Sequence, residues 1–232
     1  METIEIICLA NSRKIGGKCV AGLRVDGGGW VRPVSANETG TLLPYQCSLE
    51  DGMEARTLDL IKIPILRPLP KSHQPENLLI DENVPWRLVN RPAPRNLIHI
   101  LRSHLVSGPC LFGNTYDRVP AIYFSSTPAS SSLALIVPEN LHLCVTTNVN
   151  DQKQVRAKFN LSGTPYNLVV TDPFWEERLK NLPFGEYPLK DIGIKTFDRV
   201  LLTISLGEPF NNNCFKLVAA IIVLPQNWRN LF

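Results

Sequence analysis

Apolar residues recur along this chain in short runs, many at every second position, separated by polar and glycine-rich breaks. A spacing of two is that of a strand with one buried face. Residues 3–10 are rich in isoleucine and alternate only in part, as a strand buried on both faces does. Residues 11–17 end in Gly16-Gly17 and predict a turn. Residues 18–25 alternate, with Lys18 outward and Cys19, Leu23 and Val25 inward. Asp26-Gly27-Gly28-Gly29 is a hairpin turn, because glycine takes positive φ without steric cost. Residues 30–34 predict a third strand with Pro33 near an edge, and residues 57–66 a further strand whose Pro64 marks an edge or bulge.

The middle of the chain loses this rhythm. Residues 67–94 are rich in proline and read as an extended connection with one short strand at 86–89. Residues 96–106 predict a helix: Leu97, Ile98, Leu101 and Leu105 form one stripe, with Arg95, His99 and Arg102 opposite. Residues 120–124 and 133–137 predict short strands around a serine-rich loop. Beyond them, residues 141–147, 154–160 and 166–170 read as three strands, with Val155, Ala157 and Phe159 on one face of the second. Thr171-Asp172-Pro173 is a helix start, with Thr171 or Asp172 as N-cap and Pro173 at the first helical position, and the helix runs to about residue 181. Residues 199–206 and 214–224 complete five strands, joined by a loop at 207–213. Three strands, a helix and two strands is the layout of an OB-fold, and the N-terminal meander starts a second copy. The expected fold is mainly β: two linked OB-like antiparallel barrels with one or two short helices, divided as 1–138 and 139–232.

Composition narrows the classes. With 232 residues, 44% of them hydrophobic and 19% charged, the chain is globular and needs no disulfide or metal staple. Fourteen glycines and 19 prolines suit short strands and turns rather than a helical bundle. No apolar run approaches the roughly 18–20 residues of a membrane span. The acidic start, Met1-Glu2-Thr3-Ile4-Glu5, lacks the basic segment of a secretory signal, so the expected compartment is the cytoplasm. The six cysteines have no paired spacing and mostly sit in apolar runs, which predicts free, buried thiols and no metal site. A net charge of +3 says little about partners, but residues 87–118 hold five arginines against a single acid, Asp117.

Several short strings carry a resemblance. They are residues 8–22 (Cys8-Leu9-Ala10-Asn11-Ser12 through Gly16-Gly17-Lys18-Cys19 to Gly22), Gly29-Trp30-Val31-Arg32-Pro33-Val34-Ser35, Ser205-Leu206-Gly207-Glu208-Pro209-Phe210, and residues 215–222. Together they resemble a bacterial family described as a dual OB-containing domain. The resemblance touches both ends of the chain. It implies two linked OB-type barrels and a nucleic-acid or conflict-system role, with no established reaction.

In OB barrels the loops between strands one and two and between strands four and five flank the ligand face. The first of these holds Arg13, Lys14 and Lys18, candidate phosphate contacts, beside Gly16 and Gly17. Trp30 and Arg32 lie two apart on one strand face, where Trp30 can stack on a base and Arg32 can pair a phosphate. Phe210 lies in the second loop and can stack; Arg95 and Arg102 give the helix a basic side. Each has a structural alternative: a solvated hairpin, core packing, or a solvent-facing helix. There is no H-E-x-x-H, G-x-S-x-G or P-loop, and Asp172 is explained by helix capping, so no enzyme and no cofactor are expected. The expected function is a nucleic-acid-binding module preferring single strands; the alternative is a regulatory subunit that binds a protein or small ligand beside an enzyme encoded elsewhere.

Overall fold

In the computed structural model, which describes residues 2–93, 96–195 and 198–224, the chain divides into two compact units. The described residues of Met1–Ser103 and Ile122–Ser132 form the first, and those of His104–Ala121 and Leu133–Phe232 the second.

The first unit holds strands β1 (Glu2–Lys14), β2 (Gly17–Arg24), β3 (Trp30–Val34), β4 (Leu60–Pro68), β5 (Asn77–Ile80) and β6 (Arg87–Asn90). β1 is long enough to serve two neighbours: its first half pairs with β4 and the rest with β2. β3 pairs antiparallel with β2 and parallel with β5, and β5 returns to β4. The circuit β1-β2-β3-β5-β4-β1 closes a five-stranded barrel, and β6 adds to β4. Ile4, Ile6 and Cys8 of β1 meet Val20, Val31, Ile61, Ile63, Ile65 and Ile80 in its core. Ile7 and Leu9, on the other face of β1, are also fully buried, which is why that strand alternates only in part.

Two sequence expectations are corrected here. Val20, not Cys19 and Leu23, faces the barrel core, because Cys8 of the core set pairs opposite Gly22 and a bulge follows between Cys8 and Ala10. At Gly22 a Cβ would lie 2.2 Å from the Ile7 carbonyl oxygen, so β1 and β2 cross where only glycine fits. The second correction is β5, which falls inside the stretch expected to be an extended connection. Its four residues, buried on both faces, show no alternation to read.

Two short helices complete this unit, α1 (Ile98–Ser103) and α2 (Tyr123–Ser126). α1 is shorter than the predicted 96–106, but Leu97, Ile98 and Leu101 form the buried stripe expected of it. The strand predicted at 120–124 is instead β7 (Arg118–Pro120), in the second unit, followed by α2. β7 pairs with the start of the last strand and stops where that partner begins its turn.

The second unit continues with β8 (Leu133–Ile136), β9 (Glu139–Thr147), β10 (Lys153–Leu161), β11 (Thr164–Val170), α3 (Pro173–Leu179), β12 (Gly185–Pro188), β13 (Arg199–Phe210) and β14 (Asn213–Leu224). Its order, β9-β10-β11-β14-β13-β8, is that of the first barrel, again with the third and fifth strands parallel. β8 and β9 follow one another across Val137 and Pro138, so one stretch of chain pairs first with β13 and then with β10. β1 does the same in the first unit without a break.

α3 lies between the third and fourth barrel strands, as predicted. Asp172 caps it: its carboxylate accepts from the Phe174 N–H at 3.0 Å and the Ile221 N–H of β14 at 2.9 Å. The cap therefore also ties the helix to the sheet. The loop predicted at 207–213 contracts to a turn at Asn211 and Asn212, both with positive φ, so β13 and β14 run further than the alternation suggested. The observed class is mainly β with two OB-like barrels and short helices, each barrel having one parallel pairing.

Candidate nucleic-acid interface

The inward residues of β10, Val155, Ala157, Phe159 and Leu161, belong to the core of the second barrel. Its other face presents Gln154, Arg156, Lys158 and Asn160. On β11 the matching outward positions are Pro165, Asn167 and Val169. The parallel register of Val169 with Leu217 places Phe215 of β14 beside Asn167. Counted from β9, these are the second, third and fifth strands of an OB barrel, whose second and third strands carry ligands in other OB-folds.

Three cations mark this face. The Arg156 Nε donates to the Asn167 Oδ1 at 2.8 Å and another guanidinium nitrogen to the Gln154 Oε1 at 3.3 Å. Partial burial lowers the Arg156 pKa, with Asp117 acting against it. Lys158 donates to Glu186 of β12 at 2.8 Å, and this bond raises the lysine pKa and lowers that of the carboxyl. Arg118 of β7 stands 4.9 Å from the centre of the Phe215 ring and pairs with Asp117 at 2.7 Å. The ion pairs of Lys158 and Arg118 are exposed and screened by solvent, so a phosphate can displace either carboxylate.

Toward one end of the face lies a shallow depression of about 280 Å³. Asn140, Lys158, Asn160, Pro165 and Asn167 surround it, with Phe159 and Tyr166 also lining it. On the inward side of the same strands the Phe159 and Tyr166 rings stack at 5.5 Å in the barrel core. Close by, Lys216 is almost fully buried; its Nζ donates to the carbonyl and side-chain oxygens of Asn114 at 2.9 and 2.8 Å. Burial pulls its pKa from 10.5 down to about 8, with Cys110 and Asp117 opposing.

The residues singled out from the sequence are distributed differently. Arg13, Lys14 and Lys18 share one hairpin, whose tip is the exposed Ile15 with Gly16 at φ +80°. Arg13 is exposed; Lys14 donates to the Thr39 carbonyl, and Lys18 pairs with Glu54 at 2.9 Å. Trp30 is half-buried, opposite Leu23. Arg32, expected to reach a phosphate, is buried instead: its guanidinium donates to the Ser132 Oγ at 2.7 Å and the Cys19 Sγ at 3.0 Å. Glu76 accepts from the Ser132 N–H and Oγ, so residues following α2 close over this face of β3. Arg102 is exposed beside His99 on α1, and Arg95 lies outside the described residues. Phe210 is exposed at the end of β13. All six cysteines are free, four of them buried. Among the described residues no cluster of three metal-ligating side chains occurs, and no helix is long and apolar enough to cross a membrane.

Arg156, Lys158, Asn160 and Asn167 were missed, though their signal was present. The alternation that puts Val155, Ala157 and Phe159 inward puts Gln154, Arg156, Lys158 and Asn160 outward.

Two barrels with the strand order 1-2-3-5-4 and a parallel third and fifth strand define a tandem OB-fold protein. The family described as Dual OB-containing domain matches residues 4–221, and the chain belongs to it. No curated protein matches it. Among solved structures it is similar to a murine DNA-binding protein bound with double-stranded DNA, at 9% identity and TM-score 0.35, over 97% of this chain and 99% of that one. It is also similar to the tetrameric p202 HIN2, at 10% identity and TM-score 0.33, over 97% and 93%. A third similarity is to a replication protein A heterotrimer bound to single-stranded DNA, at 10% identity and TM-score 0.34, over 97% and 49%.

Proposed function

We propose that this chain is a nucleic-acid-binding module that holds single strands on the outward face of β10, β11 and β14. The observation that carries the reading is the juxtaposition of Arg118, Arg156 and Lys158 with the Phe215 ring on the ligand face of an OB barrel. Cations spaced along strands neutralise successive phosphates, and a guanidinium lying over an aromatic ring offers a flat surface for a base. A duplex keeps its bases stacked inside, so a single strand fits this face better. The exposed Arg13 extends the same proposal to the first barrel. In this reading the chain binds and does not catalyse. A cytoplasmic location, which six free cysteines suit, and a place in a bacterial conflict system, which the family resemblance supports, belong to the proposal.

The test is fluorescence anisotropy with labelled single-stranded DNA, single-stranded RNA and duplex at low salt. Single strands are expected to bind more tightly than duplex, and Arg156→Glu to weaken that binding at least tenfold. Equal affinity for duplex removes the single-strand preference. Absence of binding to any oligonucleotide refutes the proposal and favours the alternative of a protein- or small-ligand-binding subunit.

A further inference from the structure

Resting on the proposed single-strand reading, we infer that Asn167 is a positioning residue: it holds the Arg156 guanidinium in a fixed orientation that leaves two N–H groups for one phosphate of the strand. In the β10–β11 register Arg156 lies opposite Val169, and Lys158 lies opposite Asn167. The Arg156 side chain therefore runs diagonally across β11 to reach Asn167. There its Nε donates to the Asn167 Oδ1 at 2.8 Å, and one terminal nitrogen donates to the Asn167 backbone carbonyl. The other terminal nitrogen donates to the Gln154 Oε1 at 3.3 Å. Asn167 thus holds one edge of the planar group and Gln154 a further point, while Arg156 itself is half-buried on β10. A guanidinium carries five N–H donors in a rigid plane. Three are committed here, and the two left are one on each terminal nitrogen. Such a pair forms the fork that takes two oxygens of one phosphate.

The holder is an amide, and that sets Arg156 apart from the other two cations. Lys158 and Arg118 pair with the carboxylates of Glu186 and Asp117, which a phosphate must displace. The hydrogen-bond partners of Arg156 are neutral oxygens, so the guanidinium keeps its charge for the strand and no partner has to leave. Ordering a long, flexible side chain at the moment of binding weakens affinity, and here the fold has done that ordering beforehand. The Asn167 side chain is exposed, so its truncation removes the Oδ1 contact and leaves the barrel core and the backbone carbonyl in place.

The experiment is a double-mutant cycle on the full chain, read by anisotropy of labelled oligo(dT) at low salt, where Arg118 and Lys158 keep binding measurable in every variant. The proteins are the wild type, Asn167→Ala, Arg156→Ala and the double variant. Asn167→Ala is expected to weaken binding about three- to tenfold, the size of ordering one flexible side chain. Added to Arg156→Ala, the same substitution is expected to weaken binding no further, because its effect passes through the guanidinium. An equal loss in both backgrounds overturns the inference and leaves the single-strand reading standing, since a direct contact of Asn167 with the strand, or a packing defect, persists without Arg156. Wild-type affinity in Asn167→Ala overturns it as well. Failure of the wild-type chain to bind the oligonucleotide removes the underlying reading and this inference with it.

Discussion

Lys216 is an ammonium carried into the second barrel, and its titration leaves a measurable signature on stability. Burial lowers its pKa from 10.5 to about 8 in the folded chain. In the unfolded chain it returns to the ordinary lysine value. Between these two values the unfolded state holds more protons, so this lysine makes stability rise with pH. With folded and unfolded values of about 8 and 10.5, the linkage relation gives a gain of about 1 kcal/mol between pH 7 and pH 9. Buried thiols oppose it. Desolvation pushes Cys8 up to about 12 and Cys47 and Cys214 up to about 11, from 9.0. A raised thiol pKa contributes stability that is present below pH 9 and lost above it, as unfolded thiols ionise. The wild-type profile alone is therefore nearly flat, and the lysine is isolated by difference. Lys216→Met keeps the volume and removes the charge. Guanidinium unfolding of both proteins at pH 7, 8 and 9, at constant ionic strength, is expected to show the wild type gaining about 1 kcal/mol relative to the variant across that range. A constant difference between the two profiles would falsify the reasoning, because Lys216 would then titrate alike in both states.

Asp172→Ala should cost about 2 kcal/mol in chemical denaturation, from the lost cap and the orphaned Ile221 N–H; unchanged stability would mean the carboxylate holds neither. Gly22→Ala should lower stability by about 1–3 kcal/mol or more, because its Cβ would run into the Ile7 carbonyl, rigid backbone, as well as the Ile6 side chain; a neutral result would show that β1 and β2 can separate there. Phe215→Ala should weaken single-strand binding by about 1–3 kcal/mol with an unchanged salt dependence; a flattened salt dependence would point to a lost phosphate contact instead of a stacking surface.

Strands that bury one face were legible in the sequence because alternation records that burial directly. β9, β10 and β11 and the capped α3 were read nearly to their ends for this reason. β5 was not, since four residues buried on both sides carry no period, and its partner β3 lies more than 40 positions away. The long β13–β14 hairpin was cut short because Asn211-Asn212-Asn213 resembles a loop, whereas positive φ at two of these asparagines makes a tight turn. The site was less legible than the fold. Arg32 reads as a surface cation because its neighbours in sequence do not reveal Glu76 and Ser132, which lie 44 and 100 positions on. The second-barrel face depends on β10, β11 and β14 being adjacent, and the parallel pairing of β11 with β14 has no local signal.

The central claim is that Arg118, Arg156 and Lys158 contact the phosphates of a single strand. The direct measurement is the salt dependence of oligonucleotide affinity for the wild-type chain and for the triple alanine variant at these positions, each first shown to be folded. Each phosphate contact on a single strand contributes about 0.7 to the slope of log affinity against log salt concentration, so losing three should flatten it by about 2. A variant that binds with the wild-type affinity and slope contradicts the account, and the ligand then lies elsewhere on the molecule.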